Sequence, residues 1–222
     1  MAATWRRRLG RLRTRLRGKP RAQPRRPQDP DPRPSDPDVG QRRLDTFRRI
    51  LGAMPPGRLL DLGAGHGAFS LIGQELGWDV TAVDARTDRM PPVDGIRWVQ
   101  ADARSFDVSG YDCIALLGLL YHLELADQRD LLKRCAGTPT ILDTHHSLRT
   151  VVTVDGWEGR FFQEPGETAE ERAQVPTASW GNPESFWPTR SSLVRMLHEA
   201  GYSTVLALEP PILRDRTFYL CL

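Results

Sequence analysis

The sequence has little cysteine, almost no lysine and no long apolar run. Its three cysteines, Cys113, Cys135 and Cys221, form no CxxC pair and show no paired spacing. Each lies in a segment that reads as a core element. A disulfide framework is therefore excluded as the stabilising device, and a reducing, cytoplasmic setting is expected. The longest apolar stretch, Ile114 to Leu120, is far short of the ~18 residues that a membrane-crossing helix needs. No apolar region of a secretory leader is visible. Lysine occurs twice, at positions 19 and 133, against 29 arginines, which reads as coding bias and not as function.

Acidic charge is scarce at one end only. Residues 1–43 hold 14 basic and four acidic groups, a net of +10, whereas residues 44–222 hold 17 and 24, a net of −7. The basic balance thus belongs to a tail and says nothing about a fold. Within the tail, Trp5, Leu9, Leu12 and Leu16 follow at spacings of 4, 3 and 4, a narrow helical stripe surrounded by arginines. Contact with an anionic membrane, contact with nucleic acid, a targeting role and plain solvation all remain open for it. Residues 19–40 are dense in proline and polar groups and read as an extended linker. The organisation expected is a basic tail over 1–40 and one folded domain over 41–222.

The folded part alternates strands with helices. A helix over 41–54 carries Leu44, Phe47, Ile50 and Leu51 inward and stops at Pro55, Pro56 and Gly57. Strands follow at 58–62, 79–83, 96–100, 111–117 and 138–142, with helices at 68–76 and 125–135. Such alternation implies right-handed crossovers and a parallel sheet. Residues 144–189 then break the pattern, too long a stretch for a simple loop, and read as a cap insertion. Asp155-Gly156 between TVVTV and WEGRFF is a hairpin signal, and 163–178 read as a polar, mobile loop. A helix over 190–200 precedes strands at 203–208 and 216–222, whose connection is too short for a crossover, so they pair antiparallel. The fold class expected is α/β: a doubly wound, seven-stranded, mostly parallel sheet with a C-terminal antiparallel pair.

In such a sheet the ligand sits beyond the carboxyl ends of the strands. The residues there are Gly63, Ala64, Gly65 and His66 after the first strand, Asp84 after the second and Asp102 with Ala103 after the third. GLLYHL over 118–123 follows the fourth, and Asp143, Thr144, His145 and His146 follow the fifth. Gly63, Gly65 and Ala68 also fit the GxGxxG/A pattern, so an NAD(P)-dependent oxidoreductase is one alternative. A non-catalytic cofactor-binding scaffold docked through its tail is another. Asp61, just before the turn, favours a cofactor that is cationic at that end, because the pyrophosphate of NAD would be repelled there.

These motifs resemble those of class I S-adenosylmethionine-dependent methyltransferases. LLDLGAGHG resembles the first motif, AVDA the second, ADARSFD the third and YDCIALLGLLYHL the fourth. The resemblance covers 41–222. It implies S-adenosylmethionine as cofactor, with Gly63, Ala64 and Gly65 around the methionyl part and Asp84 on the ribose hydroxyls. It further implies Asp102 on the adenine amino group, Ala103 against the ring, and Leu117 and Gly118 as the floor near sulfur. A fainter similarity, in LYH and in SFWPT with the AGY that ends the following helix, is to enzymes that carboxymethylate the wobble uridine of transfer RNA. It keeps RNA open beside a small molecule, the favoured acceptor class.

His122, His145 and His146 follow strands four and five and are the candidates for a general base. Adjacent histidines point their rings apart, so no metal is expected. Tyr121 is expected beside the methionyl end. The insertion is rich in aromatics, and of these Trp180 and Trp187 are the expected acceptor-lining residues, with plain packing as the alternative.

Overall fold

The computed structural model describes residues 38–222 except 92 and 176, and of Thr87 only the backbone. The amphipathic stripe and the linker expected before residue 38 lie outside the described residues. The first described element is α1 (Val39–Gly52), which buries Phe47, Ile50 and Leu51. The prolines and glycine after it lead into β1 (Arg58–Leu62). There follow α2 (Ala68–Glu75), β2 (Asp79–Asp84), β3 (Ile96–Gln100), β4 (Cys113–Leu117), α3 (Leu125–Cys135) and β5 (Thr140–His145). The order across the main sheet is β3-β2-β1-β4-β5-β10-β9, with β9 (Val205–Ala207) and β10 (Arg216–Cys221) closing the chain. The first five strands run parallel, and β10 inserts antiparallel between β5 and β9. This is the doubly wound seven-stranded sheet with a C-terminal antiparallel pair.

The sheet has a core on each face because strand side chains alternate. Leu60, Leu62, Ile114, Leu116 and Leu142 pack toward α3 and toward α5 (Arg190–Ala200). Leu59, Val80, Cys113, Ala115 and Ile141 pack toward α1 and α2. All five residues of β4 are buried, as a central strand covered on both sides requires. Each fully buried Leu or Ile contributes roughly 1.5–3 kcal/mol. Burial also pushes all three cysteine thiols up to about 12, so they are inert apolar fillers. Among the described residues no helix is long and apolar enough to cross a membrane.

The insertion is more ordered than its sequence indicates. It forms a second, three-stranded antiparallel sheet, β6 (Val152–Val154), β7 (Trp157–Gln163) and β8 (Glu184–Pro188). The hairpin signal is realised: Asp155 (φ 50°) and Gly156 (φ 82°) both take the left-handed conformation that a two-residue hairpin turn needs. The segment read as a polar loop holds α4 (Ala169–Gln174), started by a capping box between Thr168 and Glu171. A strap over 175–183 connects α4 to β8. Gln128, fully buried on α3, donates to the carbonyls of Leu123 and Phe186 and so fastens β8 to the segment after β4.

Candidate active site

A cleft of about 360 Å³ opens at the carboxyl ends of β1, β2 and β4, between the glycine turn and the strap. Its inner wall comes from local sequence. Gly63, Gly65 and Gly67 all have positive φ, and the amides of Gly63 and Ala64 donate to the Val83 carbonyl, fixing the turn onto β2. At Gly67 a side chain is excluded twice, by its φ of 74° and by the Trp98 ring, into which a Cβ would run. A Cβ on Gly65 meets no atom within 4 Å, so its absence keeps the cleft clear beside the backbone. Asp84 accepts from the Gly65 amide (2.8 Å) and the Arg86 amide (2.9 Å). Two bonds leave about half of the acceptor capacity of that carboxylate for a ligand diol.

Asp102 also lines the cleft, clasped by Arg104 through Nε and Nη2, the shortest contact being 2.6 Å. These bonds hold its carboxyl below the usual carboxylate range. Ala103, Leu117, Gly118 and Tyr121 line the cleft. Asp61 does not. It lies beneath the turn, buried, and accepts from Ser70 Oγ at 2.6 Å. Burial raises its pKa from the usual 3.8 to about 6.

Below Gly118 lies a buried ion cluster. Arg216 grips Asp143 through Nε and Nη2, both at 2.8 Å, and Arg43 Nε donates to the same carboxylate at 2.7 Å. Burial alone would raise the pKa of Asp143, but the two guanidinium groups outweigh it and hold the carboxyl below its ordinary value. Arg43 is the one member that lines the cleft; its side chain is 21% exposed, with Nη2 toward the Leu117 carbonyl. The helical stripe of α1 marks Leu44 and Phe47 as inward, and nothing in the pattern singles out Arg43.

The three histidines separate. His122 lines the cleft, with its side chain 19% exposed and Nδ1 3.1 Å from Glu164 Oε1. His145 does not face the cleft, contrary to expectation. It is buried under the Trp187 ring, and its Nε2 accepts from Arg216 Nη1 at 3.0 Å, which uses the lone pair a base needs. His146 lines a different hollow, beside Thr189 and Arg190, and burial lowers its pKa.

The two tryptophans also divide. Trp180, 50% exposed, lines the cleft with the Arg86 guanidinium 5.5 Å from its ring. Trp187, 1% exposed, lies behind Tyr121 and stacks on His145 and Phe162, so it packs the cap onto the sheet and does not line the acceptor space.

Two further residues organise the outer wall and carry no local sequence signal. Arg86 donates to the carbonyls of Arg172, Val175 and Ala178, pinning the strap beside Asp84. Glu164, 2% exposed, lies 3.1 Å from His122 Nδ1 and accepts from the Ser179 amide (2.9 Å) and from Ser185 Oγ (2.8 Å).

Known proteins share this fold. The solved structures with the same fold include the N-terminal domain of EvdMO1 with S-adenosylhomocysteine bound: 22% identity over 81% of this chain and 79% of that one, TM-score 0.65. A second is the 1,6-didemethyltoxoflavin N1-methyltransferase of Burkholderia thailandensis, with 22% identity, 84% and 79% covered and a TM-score of 0.57. A third is the glycopeptide N-methyltransferase MtfA with S-adenosylhomocysteine, with 18% identity, 81% and 86% covered and a TM-score of 0.54. No curated protein matches the chain in sequence. Residues 5–207 match the profile of the methyltransferase domain, and the chain belongs to that family.

Proposed function

We propose that this methyltransferase uses S-adenosylmethionine and takes it along the inner wall, with Asp84 on the ribose hydroxyls. The observation that carries the placement is the Asp84 carboxylate, oriented by the amides of Gly65 and Arg86 with acceptor capacity left for a diol. Asp102, which lines the cleft with its side chain 38% exposed, takes the adenine amino group, with Ala103 beside the ring. Arg43 is the cation at the other end of the cleft and meets the methionyl carboxylate. The cofactor supplies an electrophilic methyl group; the chain supplies alignment and shelter from water. The acceptor enters between His122 and the strap. A covered cleft of this size suits a small molecule. The buried, inert thiols suit a cytoplasmic setting.

A thermal-shift comparison tests the cofactor. S-adenosylhomocysteine at a hundredfold excess over its Kd stabilises the fold by about 2.7 kcal/mol, and NADH has no effect. Stabilisation by NADH alone would replace this reading with nicotinamide chemistry.

A further inference from the structure

We propose that Glu164 is a positioning residue that holds His122 with its Nε2 lone pair toward the cleft, and that the acceptor is a hydroxyl compound. This rests on the reading above that S-adenosylmethionine lies along the Asp84 wall. A buried carboxylate is costly unless hydrogen-bonded, and here three donors converge on it from separate elements. His122 comes from the short helical turn after β4, Glu164 directly follows β7, Ser179 comes from the strap and Ser185 from β8. An ionised carboxylate only accepts hydrogen bonds, so the proton between the two groups sits on Nδ1 of His122. In the neutral ring the lone pair is then on Nε2, the nitrogen left to the cleft that His122 lines. Tyr121 packs at 4.2 Å between ring centroids and restrains the imidazole from one face.

Such a fixed base is matched to one acceptor chemistry. A carboxylate is already an anion at neutral pH. A neutral amine attacks with its own lone pair and loses its proton afterwards. A hydroxyl is a weak nucleophile until its proton begins to leave. In the step proposed, the acceptor oxygen forms a bond to the methyl carbon while the carbon–sulfur bond breaks. The electron pair of that bond passes to sulfur, and the sulfonium becomes a neutral thioether. The hydroxyl proton passes to Nε2, and the imidazolium charge lies against the Glu164 carboxylate until water removes the proton. Because Glu164 also holds Ser179 and Ser185, the base is oriented only when the cap is seated.

The test is nitrogen NMR of the full chain, labelled with 15N-histidine and saturated with S-adenosylhomocysteine, His122 being assigned from the His122→Gln variant. The proposal requires the Nδ1–H tautomer at His122, and an Nε2 signal that moves on titration with phenol and not with benzoate. In Glu164→Gln the side-chain amide also donates, so the tautomers mix and the phenol response shrinks. Calorimetry of the same variant should give S-adenosylhomocysteine affinity within about threefold of wild type. An Nε2–H tautomer in wild type, or an unchanged tautomer in a folded Glu164→Gln variant, overturns the positioning role. A response to benzoate in place of phenol, or to neither, overturns the hydroxyl class. If Glu164→Gln does not fold, the wild-type tautomer decides. If wild type fails to bind S-adenosylhomocysteine, the cofactor reading falls, while the tautomer of the unliganded protein still reports on Glu164.

Discussion

The two walls of the cleft are built in opposite ways. The inner wall is local: apart from Arg43 on α1, the residues named on it stand within a few positions of the end of a parallel strand, and the backbone of the glycine turn orients Asp84 directly. The outer wall is assembled from a distance. Glu164 reaches His122 across 42 positions, and Arg86 reaches Ala178 across 92. A wall of the first kind is a general device for one cofactor. A wall of the second kind is free to vary with the acceptor while the sheet beneath it stays the same. Changes to the joint between sheet and floor should therefore cost most, changes to the turn less, and changes to the strap least.

The largest effect is expected at the floor. Asp143→Ala removes the carboxylate that Arg216 and Arg43 share, leaving a buried guanidinium unpaired. Urea unfolding should show a loss of about 3–5 kcal/mol. A loss below about 1 kcal/mol would mean that the cluster is not a structural joint.

The next effect lies under the turn and depends on pH. Burial raises Asp61 to about 6 from the usual 3.8. The folded state therefore binds a proton more tightly than the unfolded chain, and this site's contribution to stability falls as pH rises from about 4 to 6. Asp61→Asn keeps an acceptor for Ser70 and avoids the buried charge. Its stability relative to wild type should rise across that window by about 2–3 kcal/mol and level off above it. A difference that is flat with pH would show that Asp61 ionises normally.

A smaller effect is expected at the strap. Arg86→Ala removes three hydrogen bonds to carbonyls, each worth about 0.5–1.5 kcal/mol net, and frees a segment that water then solvates. Amide exchange should quicken over 172–179 and stay unchanged in β1 and β4. Equal quickening in the sheet would contradict the separation of the two walls.

The same contrast governs how much was legible in the sequence. The fold was readable because alternation, apolar runs and glycine punctuation are local signals. The strand-end positions of Asp84 and Asp102 were readable because they follow from those signals. His145 shares that strand-end position yet turns away from the cleft, because its orientation depends on Arg216, 71 positions away. Trp187 was ambiguous for a similar reason: its face is set by the pairing of β8 with β7, where it lies opposite Arg160, and that register is not written in either strand alone. Glu164 looked like one more acid in a polar loop. The one local clue in that loop, Thr168 followed by Glu171, marks a helix start and says nothing of a site.

The most direct test of the division is calorimetric titration of S-adenosylhomocysteine into wild type, Asp84→Ala and Trp180→Ala. Loss of the oriented carboxylate should weaken binding by a hundredfold or more, about 2.7 kcal/mol, whereas loss of the half-exposed strap ring should change it by less than about tenfold. Unchanged affinity in Asp84→Ala, or equal losses in the two variants, would contradict a cofactor held by the turn and an acceptor space closed by the cap.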